Sequence, residues 1–342
     1  MESIEDRYPL SPLQHGMLFH SLYAPRSGVY IEQLDCGLHE RLDVPAFKRA
    51  WERTAQRHSI LRTAFRWEGL DEPVQEVRRR VTLPWEEHDL RRLSPEQQEA
   101  ELAAYVKVDR ERGFELTQAP LMRLTLFRLD EVDYRCIWTC HHTLLDGRSY
   151  IIVLKEVFSF YEAFCAGRDL QLDDPIPYRA YIDWLRRQDP NGSKSFWRNT
   201  LKDFVTPVTL GVERSRSADS GQEPAAFGKQ AIRLSATLTG DLRSFARQHD
   251  LTPNTVFQGA WALLLNRYSG REDVVFGATR AGRYGTVERA GEMVGLFINT
   301  LPVRVAVPGD MGLLPWLKEL RAQWRALRDY EHSSLVKVQE WS

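Results

Sequence analysis

Apolar residues recur at helical spacing near the start of the chain. In SPLQHGMLFHSLY, Ser11 stands where an N-cap belongs, Pro12 takes the first helical position, and Leu13, Met17 and Leu18 supply apolar positions, which predicts a helix. In VPAFKRAWERTAQRH, Phe47, Ala50, Trp51 and Thr54 recur at three and four and predict a second helix with one buried face. SILRTAF then reads as a strand. Further on, LMRLTLFRL alternates with Met122, Leu124 and Leu126 on one face, and YRCIWTC is rich in β-formers, so two strands precede the pair His141-His142. Asp146 and Gly147 break that pattern. Beyond them Tyr150, Leu154, Val157, Phe158 and Tyr161 follow the period of a helix, placing the histidines where a strand gives way to a loop and a helix.

The second half repeats the mixture. Short helices around Tyr178–Gln188 and Ser193–Phe204 lead into VTPVTLGVERSRSADSGQEPAAFG, which is rich in Pro, Gly and Ser, lacks periodicity and reads as an exposed connection. A strand near Lys229–Leu234, helices near Thr239–His249 and Pro253–Tyr268, strands in DVVFGAT and LFINTLPVRV and a helix near Leu314–Tyr330 follow, and the final EHSSLVKVQEWS carries no clear closing element. Helices and strands in both halves point to an α/β class with two lobes. The division expected is 1–175 for the first lobe, 176–228 for connecting helices and linker, and 229–342 for the second.

Composition narrows the classes. With 342 residues, 43% of them hydrophobic, the chain can fill two cores. Its 46 basic and 47 acidic residues leave a formal net charge of −1, which provides no field for nucleic acid or an anionic membrane. The longest apolar runs, such as Tyr150–Leu154, fall well short of the roughly 20 residues a membrane span requires. The acidic opening MESIEDRYPL does not resemble a signal peptide, so a cytoplasmic location is expected. Four cysteines without framework spacing read as reduced thiols in the core.

The dense chemical signal is Cys140-His141-His142-Thr143-Leu144-Leu145-Asp146-Gly147. If strand geometry persists through the histidine pair, adjacent side chains face opposite sides, so one imidazole can serve a cavity while the other packs. Neutral imidazole can accept and return a proton near neutral pH. Asp146 can fix the loop that presents it or serve as an ion-pair anchor, and Gly147 permits a tight backbone path. Zinc is the competing reading, but residues four apart on a strand, such as Cys136 and Cys140, are separated by roughly 13 Å, too far to share a metal. No metal site is expected.

These residues resemble a known family. HHTLLDG resembles the His-His-x-x-x-Asp-Gly motif of the condensation domains of non-ribosomal peptide synthetases, within the superfamily of chloramphenicol acetyltransferase. YPLSPLQHGMLFH, RHSILRTAF, YRAYIDWLRRQ and MVGLFINTLPVRV are similar, in order, to further motifs of that family, so the resemblance covers nearly the whole chain.

The resemblance implies two acetyltransferase-like lobes, each a mixed sheet with helices, arranged as a V around a central tunnel, the second lobe incomplete at its C-terminus. It implies catalysis by His142, a structural His141, a pairing of Asp146 with Arg62, and a Gly147 backbone close to the reacting thioester. Ser149, Arg283 and Asn299 are candidate tunnel-lining residues, whereas Gln14 and His15 on the first helix read as packing or solvent-facing. The activity implied is amide-bond formation between an upstream carrier-bound acyl or peptidyl thioester and a downstream carrier-bound aminoacyl amine. No cofactor belongs to the domain itself, since substrates arrive on phosphopantetheine arms. Partners implied are upstream and downstream peptidyl carrier domains and a neighbouring adenylation domain. The alternatives are a non-catalytic module that docks a carrier or tailoring enzyme, and an epimerase of the same superfamily.

Overall fold

The computed structural model describes residues 3–25, 27–205, 208–210 and 230–342. In chain order the elements are β1 (Ile4–Pro9), α1 (Pro12–Tyr23), β2 (Ile31–Leu38), α2 (Val44–Arg57), β3 (Thr63–Arg66), β4 (Val74–Arg78), β5 (Trp85–Asp89), α3 (Pro95–Arg112), β6 (Met122–Arg128), β7 (Tyr134–His141), α4 (Gly147–Cys165), α5 (Arg179–Arg186), α6 (Pro190–Thr200), α7 (Ala236–Gln248), α8 (Pro253–Ser269), β8 (Asp273–Arg280), β9 (Asn299–Ala306), α9 (Leu313–Ala326) and α10 (Leu335–Trp341). They divide into two units. The first is Met1–Gln188 with Ala281–Ile298, and the second is Asp189–Arg280 with Asn299–Ser342.

The first unit is built on a mixed sheet ordered β2-β7-β6-β5, parallel only between β5 and β6, and a smaller antiparallel sheet ordered β1-β4-β3. Met122, Leu124 and Leu126 of β6 and Cys136, Trp138 and Cys140 of β7 share one core with Phe47 and Trp51 of α2 and Val153, Val157 and Phe160 of α4. That is the face the alternation predicts. On the opposite face Phe127 and Ile137 meet Leu102 of α3. There the buried Asp109 accepts from Arg123 and from the Thr139 hydroxyl (2.6 Å) and Gln33 amide (2.8 Å), so α3 is held by a polar cluster beside its apolar contacts. The second unit has a separate core formed by Trp197, Ala262, Leu265, Val274, Leu301, Val303, Trp316 and Leu320, among others, around the antiparallel pair β8-β9.

Local structure departs from the pattern-based reading in identifiable places. SILRTAF is a 3-10 turn over Ser59–Arg62 before a four-residue strand, because Leu61 N–H closes back on the His58 carbonyl. Residues 230–234 are exposed and form no strand, and Lys229 lies outside the described residues, as does most of the Pro, Gly and Ser-rich connection. The closing segment contains a helix, α10, which buries Val338. Residues 176–188 and 281–298 belong to the first unit, not to a linker and a second lobe. Tyr178 and Tyr181 pack on Phe297 at ring-centroid distances of 5.5 and 4.5 Å, and Met293 and Val294 are buried in the first core. Among the described residues no helix is long and apolar enough to cross a membrane.

Phe47 is a fold test because its ring meets Trp51, Trp85, Phe158 and Tyr161 and is only 1% exposed. Phe47→Ala should lower the unfolding free energy by about 3 to 5 kcal/mol, the usual cost of an aromatic-sized cavity, measured by urea denaturation. A loss under about 1 kcal/mol would show that the site is not a packed core position.

Candidate functional site

β7 ends at His141, and His142 begins a turn closed by Leu144 N–H on the His141 carbonyl. The imidazoles therefore diverge because the chain turns, not because a strand runs through both. The His142 N–H donates to the Tyr30 carbonyl at 2.8 Å, tying the turn to the loop before β2.

The rings occupy different surroundings. His141 is buried, with Nε2 3.2 Å from the Ser21 hydroxyl and Nδ1 2.8 Å from the Thr143 hydroxyl and 3.3 Å from the Thr143 N–H. Ser21 donates its own proton to the Met17 carbonyl, and the Thr143 N–H can only donate, so His141 carries its hydrogen on Nε2. His142 is half-buried, and its Nδ1 lies 2.7 Å from the Leu145 carbonyl. A carbonyl can only accept, so Nδ1 carries the hydrogen of His142. In the neutral ring Nε2 is then the basic nitrogen, and no hydrogen bond engages it among the described residues. Burial, reinforced by the neighbouring His142, pushes the His141 pKa down to about 4.

Asp146 caps α4 by accepting from Ser149 N–H at 3.0 Å, and its carboxylate is 2% exposed. Its counter-ion is Arg283, which donates through Nε (3.2 Å) and a terminal nitrogen (2.6 Å) while also donating to the carbonyls of Ala290 (2.7 Å) and Met293 (2.8 Å). The Phe297 N–H completes the carboxylate's shell at 3.2 Å. Ser149 donates to the Gly295 carbonyl at 2.7 Å and accepts from Gly295 N–H and from Arg283. Two glycines allow this segment to approach so closely. At Gly282, with φ of +61°, a Cβ would lie 2.0 Å from the Phe297 oxygen, and at Gly295 one would lie 2.1 Å from the Tyr178 ring.

The expected partner of Asp146, Arg62, is elsewhere. Its guanidinium donates to Glu5 at 2.7 Å and to the Arg78 carbonyl, joining the 3-10 turn to β1 and β4. Asp146 has its charge compensated from residues 281–298, which a sequence reading assigned to the other lobe. Ser149, Arg283 and Asn299 are all buried and hydrogen-bonded within their own units; Asn299 donates to the carbonyls of Glu331 (2.9 Å) and Ser333 (2.7 Å) in the second unit. Gly147 is the exposed first residue of α4, without a positive φ and with open space where a Cβ would stand, so the backbone path does not require glycine. Gln14, read as packing or solvent-facing, is fully buried and bonded to the Thr143 carbonyl. The one cue to that role lay in Ser11 and Gln14, spaced as a capping box, which forms here.

Arg283→Ala should cost about 3 to 5 kcal/mol, because Asp146 would remain as a buried, uncompensated charge. Arg62→Ala should cost less, roughly 1 to 2 kcal/mol, because Glu5 is half-exposed and can turn to water. Urea unfolding of both variants measures this, and the reverse order would return Asp146 to Arg62. Because the folded His141 pKa lies below the ordinary 6.5, the unfolded chain binds a proton there that the folded chain does not. Stability should therefore decline as pH falls from 6.5 towards 4, by up to about 3 kcal/mol from this residue. His141→Gln should flatten that decline, and an unchanged slope would rule out a buried neutral His141.

The family model described as condensation domain matches residues 4–340. One of the proteins that make up the linear gramicidin synthase of Brevibacillus parabrevis is 49% identical over 340 residues, covering 99% of this chain and 4% of that protein. A second protein of the same synthase is 45% identical over 339 residues, covering 99% and 7%. The chain thus spans a small fraction of the length of these curated relatives. Among solved structures, the first condensation domain of the calcium-dependent antibiotic synthetase, in complex with a substrate analogue, superposes with a TM-score of 0.80 at 20% identity, covering 99% of this chain and 79% of that one. The X-domain solved in complex with OxyB from teicoplanin biosynthesis gives 0.81 at 25% identity, covering 99% and 74%. The structural matches establish a shared fold, and the family match over nearly every residue establishes kinship: the chain belongs to the condensation-domain family.

Proposed function

We propose that the chain catalyses amide-bond formation in non-ribosomal peptide synthesis, joining an upstream carrier-bound acyl or peptidyl thioester to a downstream carrier-bound aminoacyl amine. The observation that carries this reading is His142, fixed through Nδ1–H on the Leu145 carbonyl with Nε2 left as a proton acceptor. The amine nitrogen attacks the thioester carbon and its proton passes to Nε2. The carbon–sulfur bond then breaks and the departing thiolate takes up the proton, giving an amide and a free thiol. A thioester is already activated, so positioning two tethered reactants supplies much of the acceleration, with no metal or bound cofactor required. The open space beside Gly147 suits a substrate backbone passing the start of α4.

In this reading the substrates arrive on phosphopantetheine arms of upstream and downstream carrier domains, through a tunnel between two lobes arranged as a V, beside an adenylation domain and in the cytoplasm. A docking role is the second reading, because the X-domain, a domain of this fold, has been solved in complex with OxyB. The unengaged Nε2 of His142 favours catalysis over docking alone, whereas an epimerase would use the same imidazole to move a proton at carbon.

The test loads both carriers and follows product by mass with chirally defined substrates. His142→Ala should remain folded, since it forfeits one hydrogen bond at a half-buried position, and should form joined product some 10² to 10⁴ times more slowly. Full activity in that variant, with chemistry limiting, would remove His142 from the mechanism. An inverted stereocentre or an unchanged mass from the unaltered chain would instead select the epimerase or the docking module.

A further inference from the structure

The geometry points to Gln14 as a positioning residue for the His142 turn, a role that rests on the catalytic reading above and is carried by hydrogen bonds within the first unit. Gln14 lies in the first turn of α1 and is 0% exposed. Its amide nitrogen donates to the Thr143 carbonyl at 3.0 Å and to the Gln75 side chain at 3.3 Å, and its oxygen accepts from Ser11 N–H at 2.8 Å and from the Gln75 amide at 3.1 Å. The Thr143 carbonyl can only accept and the Ser11 N–H can only donate, so these partners set the amide's orientation. Both hydrogens and both lone pairs of Gln14 are engaged.

Thr143 follows His142 directly and is itself fully buried. Its N–H and hydroxyl meet His141 Nδ1, and its carbonyl meets Gln14. Two residues later comes Leu145, whose carbonyl orients the His142 ring. The turn is therefore held from α1 at two points, by Gln14 on the Thr143 carbonyl and by Ser21 on His141. Without the Gln14 donor, the Thr143 carbonyl would be a buried acceptor lacking that partner, and the peptide plane would rotate to find another. That rotation carries Leu145, and with it the direction of Nε2. Gln14 touches no substrate and acts through the backbone that aims the imidazole.

Gln75 provides the control. It is buried, pairs with Gln14 and donates to the Pro9 carbonyl at 2.9 Å, but it has no bond to the turn. Gln14→Met and Gln75→Met each break the same buried amide pair, and only the first removes the donor to Thr143. Single-turnover condensation with both carriers loaded should fall about tenfold or more in Gln14→Met at saturating substrate, with KM within about twofold, while Gln75→Met stays within about threefold. In parallel, hydrogen exchange of the His142, Leu144 and Asp146 amides should accelerate about tenfold or more in Gln14→Met relative to Gln75→Met. Should Gln14→Met fail to fold, Gln14→Leu takes its place, since it too removes the donor to Thr143 and introduces no buried charge. Equal rates and equal exchange in the two variants would overturn the assignment. Absence of joined product from the unaltered chain would overturn the catalytic reading alone, and the exchange measurement would still decide whether Gln14 holds the turn.

Discussion

A buried carboxylate without compensation costs several kcal/mol, and the first unit is arranged around the compensation of one, Asp146. The carboxylate stands at the end of the histidine turn and at the head of α4, so it acts at once as helix cap and as anion. Capping engages only the neutral Ser149 and leaves the charge unmet. Arg283 meets it from 137 positions away in the chain, aligned bidentately and held by the carbonyls of Ala290 and Met293. The route of residues 281–298 follows from that demand. Gly282 and Gly295 permit backbone approaches that no side chain could share, and Tyr178 closes over the segment by donating to the Leu296 carbonyl at 2.6 Å. The return of this segment to the first unit is thus a consequence of charge burial as much as of apolar packing.

This explains why the pairing of Asp146 was the part of the site least legible in the sequence. A carboxylate in a loop advertises that it needs a cation, but not which one. Arg62 and Arg283 are both buried, and each meets a carboxylate: Arg62 that of Glu5, on the edge strand β1, and Arg283 that of Asp146. Composition and spacing treat the two arginines alike, and only the topology separates them. The histidine pair was more legible because its context is local: a β-rich run, a break at Asp146-Gly147, then a helical period. Those features placed the motif at a strand end, although the turn begins one residue earlier than strand alternation would have it.

The same distinction runs through the fold. The elements read correctly from the pattern, α1, α2, β6, β7 and α4, carry their apolar residues on one face of a core. Those that the pattern did not reveal carry little such signal. β5 is WEEHD, with its last residues exposed, and α3 buries only Leu102 and Asp109 along its length. Their places are set by ladder bonds to β6 and by the Asp109–Arg123 pair, interactions between residues whose adjacency no single-sequence period encodes. Gln14 belongs to this class. Ser11 and Pro12 marked the start of its helix, but the bond of Gln14 to the turn depends on Thr143 lying across from it, 129 positions later.

The two histidines show how one turn can assign opposite chemistry to identical side chains. His141 faces a Thr143 N–H, which demands a lone pair on Nδ1 and sends its hydrogen to Nε2; His142 faces a carbonyl, which demands the reverse. Burial keeps His141 neutral down to about pH 4, so it adds no positive charge beside its neighbour near neutral pH. A cation one residue away would oppose any positive charge placed on the His142 ring. The packed histidine thus stays uncharged beside the half-buried one, and its bond to Ser21 ties the end of the strand from which the turn departs to α1. Replacing His141 with another polar residue would alter either the Thr143 contact or the charge beside the His142 ring, and the Thr143 contact bears on the direction of Nε2.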